Sequence, residues 1–140
     1  MVGMTWGWRG APQLLRLIVS IVVVILAYGT AVHVVHLVTS GFDPYPGLPG
    51  WLRTYFLALT LLDPLAAVLL ARCTRSGVAL TVAVFVSDAL ANGWANYVLD
   101  PTIGITLGRL GHTVITLLAL GVCAAAPWLW RAATPLQHPG

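Results

Sequence analysis

A few polar side chains stand inside otherwise apolar stretches of this chain, and their types and spacing suit proton transfer and ligand binding. His33 and His36 are three residues apart, so on a helix they share a face, with Ser40 one turn on. Asp88, Asn92 and Asn96 recur at four-residue spacing and form one stripe, and His112 and Thr116 pair in the same way. Asp63 is followed by Pro64, which removes the backbone bond to the carbonyl of Thr60 and should kink a helix there. A neutral imidazole beside a carboxyl can pass a proton near physiological pH. His33 or His36 with Asp88 is therefore a candidate catalytic pair. Asp63, Asn92, Asn96, Trp94, Tyr97, His112 and Thr116 are candidate ligand-binding residues.

The elements that must position these groups follow from composition. The 140 residues are 59% hydrophobic and only 8% charged, with a mean hydropathy of +0.89. A soluble domain carries about a quarter charged residues, so lipid must be the solvent for most of this surface. Four apolar runs, at about 17–40, 52–71, 77–99 and 110–130, each approach the roughly 20 residues that cross a bilayer. The fold class expected is all-α, a four-transmembrane-helix bundle in a single domain. The first run exceeds the ~7–15 apolar residues of a signal peptide, and no small-residue cleavage site follows it, so it reads as a retained helix.

All seven basic residues are arginine. Arg9, Arg16, Arg72, Arg75 and Arg131 fall on one side of the four spans, and Arg53 and Arg109 on the other with Asp43 and Asp100. The richer side is expected to be cytoplasmic, which puts both termini inside and the protein in the plasma (inner) membrane. Trp6, Trp8, Trp128 and Trp130 would form an inner aromatic belt, and Phe42, Tyr45, Trp51, Tyr55, Trp94 and Tyr97 an outer one. The net charge of +3 belongs to these span ends. No basic stretch is interleaved with stacking aromatics, so nucleic-acid binding is excluded. Cys73 and Cys123 form neither a disulfide framework nor a CxxC pair.

The stretch Gly41 to Gly50, GFDPYPGLPG, is too rich in proline and glycine for a helix and reads as a stiff outer cap. The turn around Thr74 is so short that helices two and three must be antiparallel neighbours. Phe42-Asp43-Pro44 and Leu99-Asp100-Pro101 begin similar segments, and Arg53 matches Arg109 at nearly the same offset. That pattern suggests two duplicated helical hairpins, with His36 corresponding to Asn92.

With this topology, His36, Asn92 or Asn96, and His112 share a depth in the outer half of the bilayer. Polar groups avoid lipid and should converge on a pocket there, walled by Trp94 or Tyr97 and by Trp51 from the cap. No lysine exists to pair with Asp63, so it should be protonated, bonded to a Thr or Asn, or facing a watery cavity. Each group also has a plain structural reading, as interhelical hydrogen bonding or a satisfied kink. Gathering in one layer favours function.

The stretches YFLALTLLDPLAAVLL (Tyr55 to Leu70) and SDALANGWANY (Ser87 to Tyr97) resemble bacterial four-helix integral membrane proteins of unassigned function. A bundle with buried Asp, His, Asn and Trp is also similar in kind to the EXPERA group of sterol isomerases and ligand binders, through the triplet Asp63-Pro64-Leu65.

Three functions compete. One is a polar pocket for a hydrophobic small molecule or lipid, with isomerase or cyclase chemistry on a His–Asp pair. Another is a haem held between His36 and His112, or a divalent metal on His33, His36, His112 and Asp88. The third is a small proton-coupled transporter working as a homo-oligomer through Asp63 or Asp88, or an accessory membrane subunit.

Overall fold

The computed structural model describes residues 7–41 and 43–133. Four helices run in order: α1 (Gln13–Thr39), α2 (Gly50–Ala71), α3 (Arg75–Trp94) and α4 (Leu107–Ala132). A five-residue π-helical turn, Ala95–Leu99, extends α3. All four are long and apolar enough to cross a membrane, which makes the chain a multi-pass membrane protein with an all-α four-helix fold.

Each helix begins a few residues before its expected start, while only α4 runs past its expected end, and local chemistry explains where they begin. Pro12 and Pro49 precede the first turns of α1 and α2, where a fixed φ suits a helix start. Thr74 caps α3 by accepting from the Gly77 N–H at 3.0 Å, and Thr106 caps α4 by accepting from Arg109 N–H at 3.2 Å; each satisfies an orphan donor of the first turn. Despite Pro64, α2 continues to Ala71.

Packing is sequential. α1 lies on α2, α2 on α3 and α3 on α4, whereas α1 and α4 barely touch. Turning from α2 into α3 requires backbone contact. A Cβ on Gly77 would overlap the Leu69 carbonyl and the Leu70 nitrogen, so only glycine allows this crossing.

Burial is uneven along the bundle. α2 and α3 bury residues along most of their lengths. α1 buries only Val19 to Leu26, and α4 only Ala119 to Leu129. The core is therefore dense at the end that carries the termini and opens toward the end that carries the two longer loops.

Trp8 seals the dense end. Instead of standing in a lipid-facing belt, it is 1% exposed, and its indole Nε1–H donates to the Leu70 carbonyl at 2.7 Å. That carbonyl, in the last turn of α2, also accepts from the Cys73 N–H at 2.9 Å, so the indole takes up its remaining acceptor capacity, and a tryptophan offers both a donor and a large apolar body. Trp128 and Trp130 are exposed as a belt requires; Trp6 and Phe42 lie outside the described residues. Trp8→Ala should destabilise the folded protein by about 3–5 kcal/mol and Trp8→Phe by about 0.5–1.5 kcal/mol for the lost hydrogen bond. Thermal unfolding in detergent, comparing both variants with wild type, checks the order.

Candidate functional site

The open end holds a cleft of about 660 Å³ lined by all four helices and by Tyr45 of the first loop. Its walls are mostly aliphatic and aromatic. His33 and His36 reach it from α1, Asp63 from α2, and Asp88 and Asn92 from α3.

Asp63 is the most deeply placed of these groups, 5% exposed. It fits because α1 carries Gly29 opposite it: a Cβ there would lie 2.6 Å from Asp63 Oδ2. One turn further along α1, His33 brings Nε2 to 4.0 Å from the same oxygen. Gly29 and His33 are four apart and share a face, so α1 presents a notch and an imidazole to a single carboxyl.

The other side of the His33 ring meets Tyr45, whose hydroxyl is 2.7 Å from Nδ1. Tyr45 descends from the cap with φ at 61°, a region that bulky side chains rarely adopt, at a cost of order 1–3 kcal/mol. Its ring compensates by packing against His36 at 5.3 Å and Phe56 at 5.2 Å between centroids. Tyr45, His33 and Asp63 thus form a line from the loop end of the cleft to its floor. If the phenol donates to Nδ1, the Nε2–H faces the carboxyl.

Asp88 is held differently. Asn92 Nδ2 donates to its Oδ1 at 2.8 Å and to its backbone carbonyl at 3.0 Å. The His33 partner is therefore Asp63, not the expected Asp88, because Gly29 lets α1 approach α2 closely at that level. His36 is exposed at the rim of the cleft.

The remaining candidates stand apart from the cleft. His112 packs over Gly93, with Thr116 Oγ1 3.2 Å from its Nε2 and the Tyr97 ring edge-on at 5.3 Å. Asn96 Nδ2 donates to the Asn92 carbonyl. Trp94 meets Trp51 edge-on at 6.4 Å, and both are exposed, as is Tyr97. None of these residues lines the cleft, so the tryptophan wall expected from sequence stands outside it. The imidazoles weighed for a haem, His36 and His112, are split between the cleft and this separate niche. Among the described residues no group of three His, Cys, Asp or Glu is placed to hold a metal.

Beside the niche, Arg109 straps the second loop. It donates to the carbonyls of Asn96, Thr102 and Gly104 and lies over the Tyr97 ring. Arg53 instead pairs with Asp43 at 2.7 Å. Asp100 Oδ1 accepts from the Thr102 N–H, and hydrogen bonding by the Thr102 side chain, then by its backbone, holds the carboxyl below the usual aspartate value.

Sequence reasoning missed Gly29, Phe56 and the inward turn of Tyr45. Gly29 had a signal: a glycine inside an apolar helix often marks close approach. Tyr45 had none, since its direction depends on one left-handed backbone angle.

Burial, and secondarily the charge of Asp88, pushes the Tyr45 phenol above its ordinary value of 10.0. A raised value means that the folded state favours the neutral phenol, so the cap keeps its full stability below pH 10 and loses it as pH rises further. Once the imidazole is neutral, the ¹⁵N shift of His33 Nδ1 should accordingly hold steady from about pH 8 to about pH 10 and move above it. Tyr45→Phe should move it at neutral pH and leave His112 unchanged; an unaltered His33 resonance in that variant would refute the contact.

No family model, curated protein or solved structure matches this chain, and the likeness noted for Tyr55–Leu70 and Ser87–Tyr97 brings no family with it.

Proposed function

We propose that the cleft binds a hydrophobic small molecule or lipid that reaches it sideways, from the bilayer, between α1 and α4. The observation that carries this reading is the gap itself: the two outer helices part where the cleft lies. The cleft volume, about 660 Å³, falls in the ~300–1,000 Å³ range of small-molecule sites. Its make-up fits as well, because apolar walls with a few convergent polar groups orient an amphipathic guest. Arginine placement orients the protein with both termini in the cytoplasm of a plasma membrane. The cleft and Tyr45 then face the outer half of the bilayer.

A second reading rests on the line from Tyr45 to Asp63. A carboxyl and an imidazole held 4.0 Å apart over an apolar cavity supply the acid and base for isomerising or cyclising a lipid-like substrate. In that reading His33 and Asp63 carry the proton, and Tyr45 fixes the imidazole tautomer.

Native mass spectrometry of the detergent-purified protein tests the binding reading and reports the oligomeric state. Wild type should retain a hydrophobic molecule, and Gly111→Trp should lose it. Gly111 lines the cleft, with nothing within 4 Å of an added Cβ, so the indole fills the space without disturbing the backbone. Leu117→Trp, on the exposed face of α4, should retain the ligand. Equal retention by both variants would defeat the proposal. Chemistry has its own signature: wild type should release two isomers of one mass, separable by chromatography, where His33→Gln releases one. A single species from both leaves a binding site without catalysis.

A further inference from the structure

The acidic side chains of the cleft have no lysine or arginine beside them. Asp63 and Asp88 both line it, and the chain contains no lysine. None of the arginines lines the cleft: Arg53 is committed to Asp43, Arg109 to loop carbonyls, and Arg75 lies against Trp130.

Asp63 is the more telling of the two. At 5% exposure it is buried beyond nine-tenths, yet no hydrogen bond reaches its carboxyl from any described residue. The His33 Nε2 at 4.0 Å is outside hydrogen-bond range. A buried carboxyl without hydrogen bonds costs several kcal/mol if charged. This one is seated in the notch left by Gly29 and lines the cleft. The rings of Tyr45, Phe56 and Phe85 line the same cavity, and aromatic faces attract an ammonium group once it leaves water.

Building on the reading of the cleft as a hydrophobic-ligand site, we infer that its ligand is a lipophilic amine. The protonated nitrogen sits between Asp63 and Asp88 among these rings, and the apolar body extends toward the gap between α1 and α4. The ligand supplies the positive charge that the protein omits. A neutral lipid of the same length would leave Asp63 as unpartnered as before. An anionic one would meet two carboxyls.

The test uses the full chain in phosphatidylcholine nanodiscs and three twelve-carbon probes: N,N-dimethyldodecylamine, N-dodecylacetamide and dodecanoate. Bound probe is counted by native mass spectrometry. Wild type should bind the amine about tenfold more tightly than the amide and should not bind dodecanoate. Asp63→Asn should abolish the amine preference. Gly111→Trp should abolish it too, and decides the matter if the asparagine variant does not fold. Equal binding of amine and amide by wild type overturns the inference while leaving a hydrophobic-ligand cleft in place. If wild type binds no probe better than Gly111→Trp does, the cleft reading fails and the amine with it.

Discussion

A carboxyl in the middle of an apolar helix has to be hydrated, neutralised or partnered, and much of the arrangement at the open end follows from how Asp63 meets that requirement. Its helix offers nothing: the residue behind it is a proline, and no Thr or Asn side chain bonds to it. Relief can come only from outside α2. α1 accommodates the carboxyl with Gly29, which removes the side chain that would otherwise overlap it, and with His33, which brings an imidazole near. The imidazole in turn holds Tyr45, and Tyr45 pulls the first loop down over the cleft. A buried polar group thus propagates order from mid-membrane to the loop, because each partner must itself be satisfied.

Stability and openness are divided between the two ends of the bundle. At the terminal end, the crossing at Gly77 and the Trp8 indole bring α2, α3 and the N-terminal segment into backbone-level contact. That packing holds α1 and α4 to the α2–α3 spine over only part of their lengths. Further along they are free to diverge, and they expose Tyr28, Val35, Leu110 and Val114, of which Tyr28 and Val114 line the cleft. In water such surfaces would invite collapse. In lipid, apolar exposure costs little, since acyl chains solvate a leucine as well as another leucine does. A bilayer can therefore sustain a cleft that opens sideways.

The parts of this architecture legible in the sequence are those governed by the bilayer. Four apolar runs of spanning length, arginines at their ends and a Pro–Gly loop give the helices and their order to within a few residues. The Asp88–Asn92 bond was also readable, because four-residue spacing alone brings those side chains together. What could not be read depended on contacts between elements. His33 meets Asp63 rather than Asp88 through the depth at which a glycine lets two helices touch. Trp8 turns inward to reach a carbonyl of α2, although its position at a span end is that of a belt residue. His112 shares the expected depth with His36, but rotation about the axis of α4 sends it to Gly93 and Tyr97. Depth along a helix follows from counting residues; azimuth follows from packing, and the sites differ in azimuth.

The two loops at the open end are fastened in different ways. Their arginines do different work. Arg109 spends its donors on three backbone carbonyls and fastens the second loop to the end of α3 and the start of α4. Arg53 reaches Asp43 across the first loop in an exposed pair, of a kind worth at most about 1 kcal/mol. The first loop is held by Tyr45, through one hydrogen bond and its ring contacts inside the cleft, together with buried Pro44 and the packing of Leu48 against the core. A guest that reaches His33 or displaces the phenol would act on one of the contacts that hold that loop, whereas the second loop has no side chain in the cleft. Occupancy of the cleft and the position of the first loop are coupled through Tyr45, and that coupling would exist whatever chemistry the guest carries.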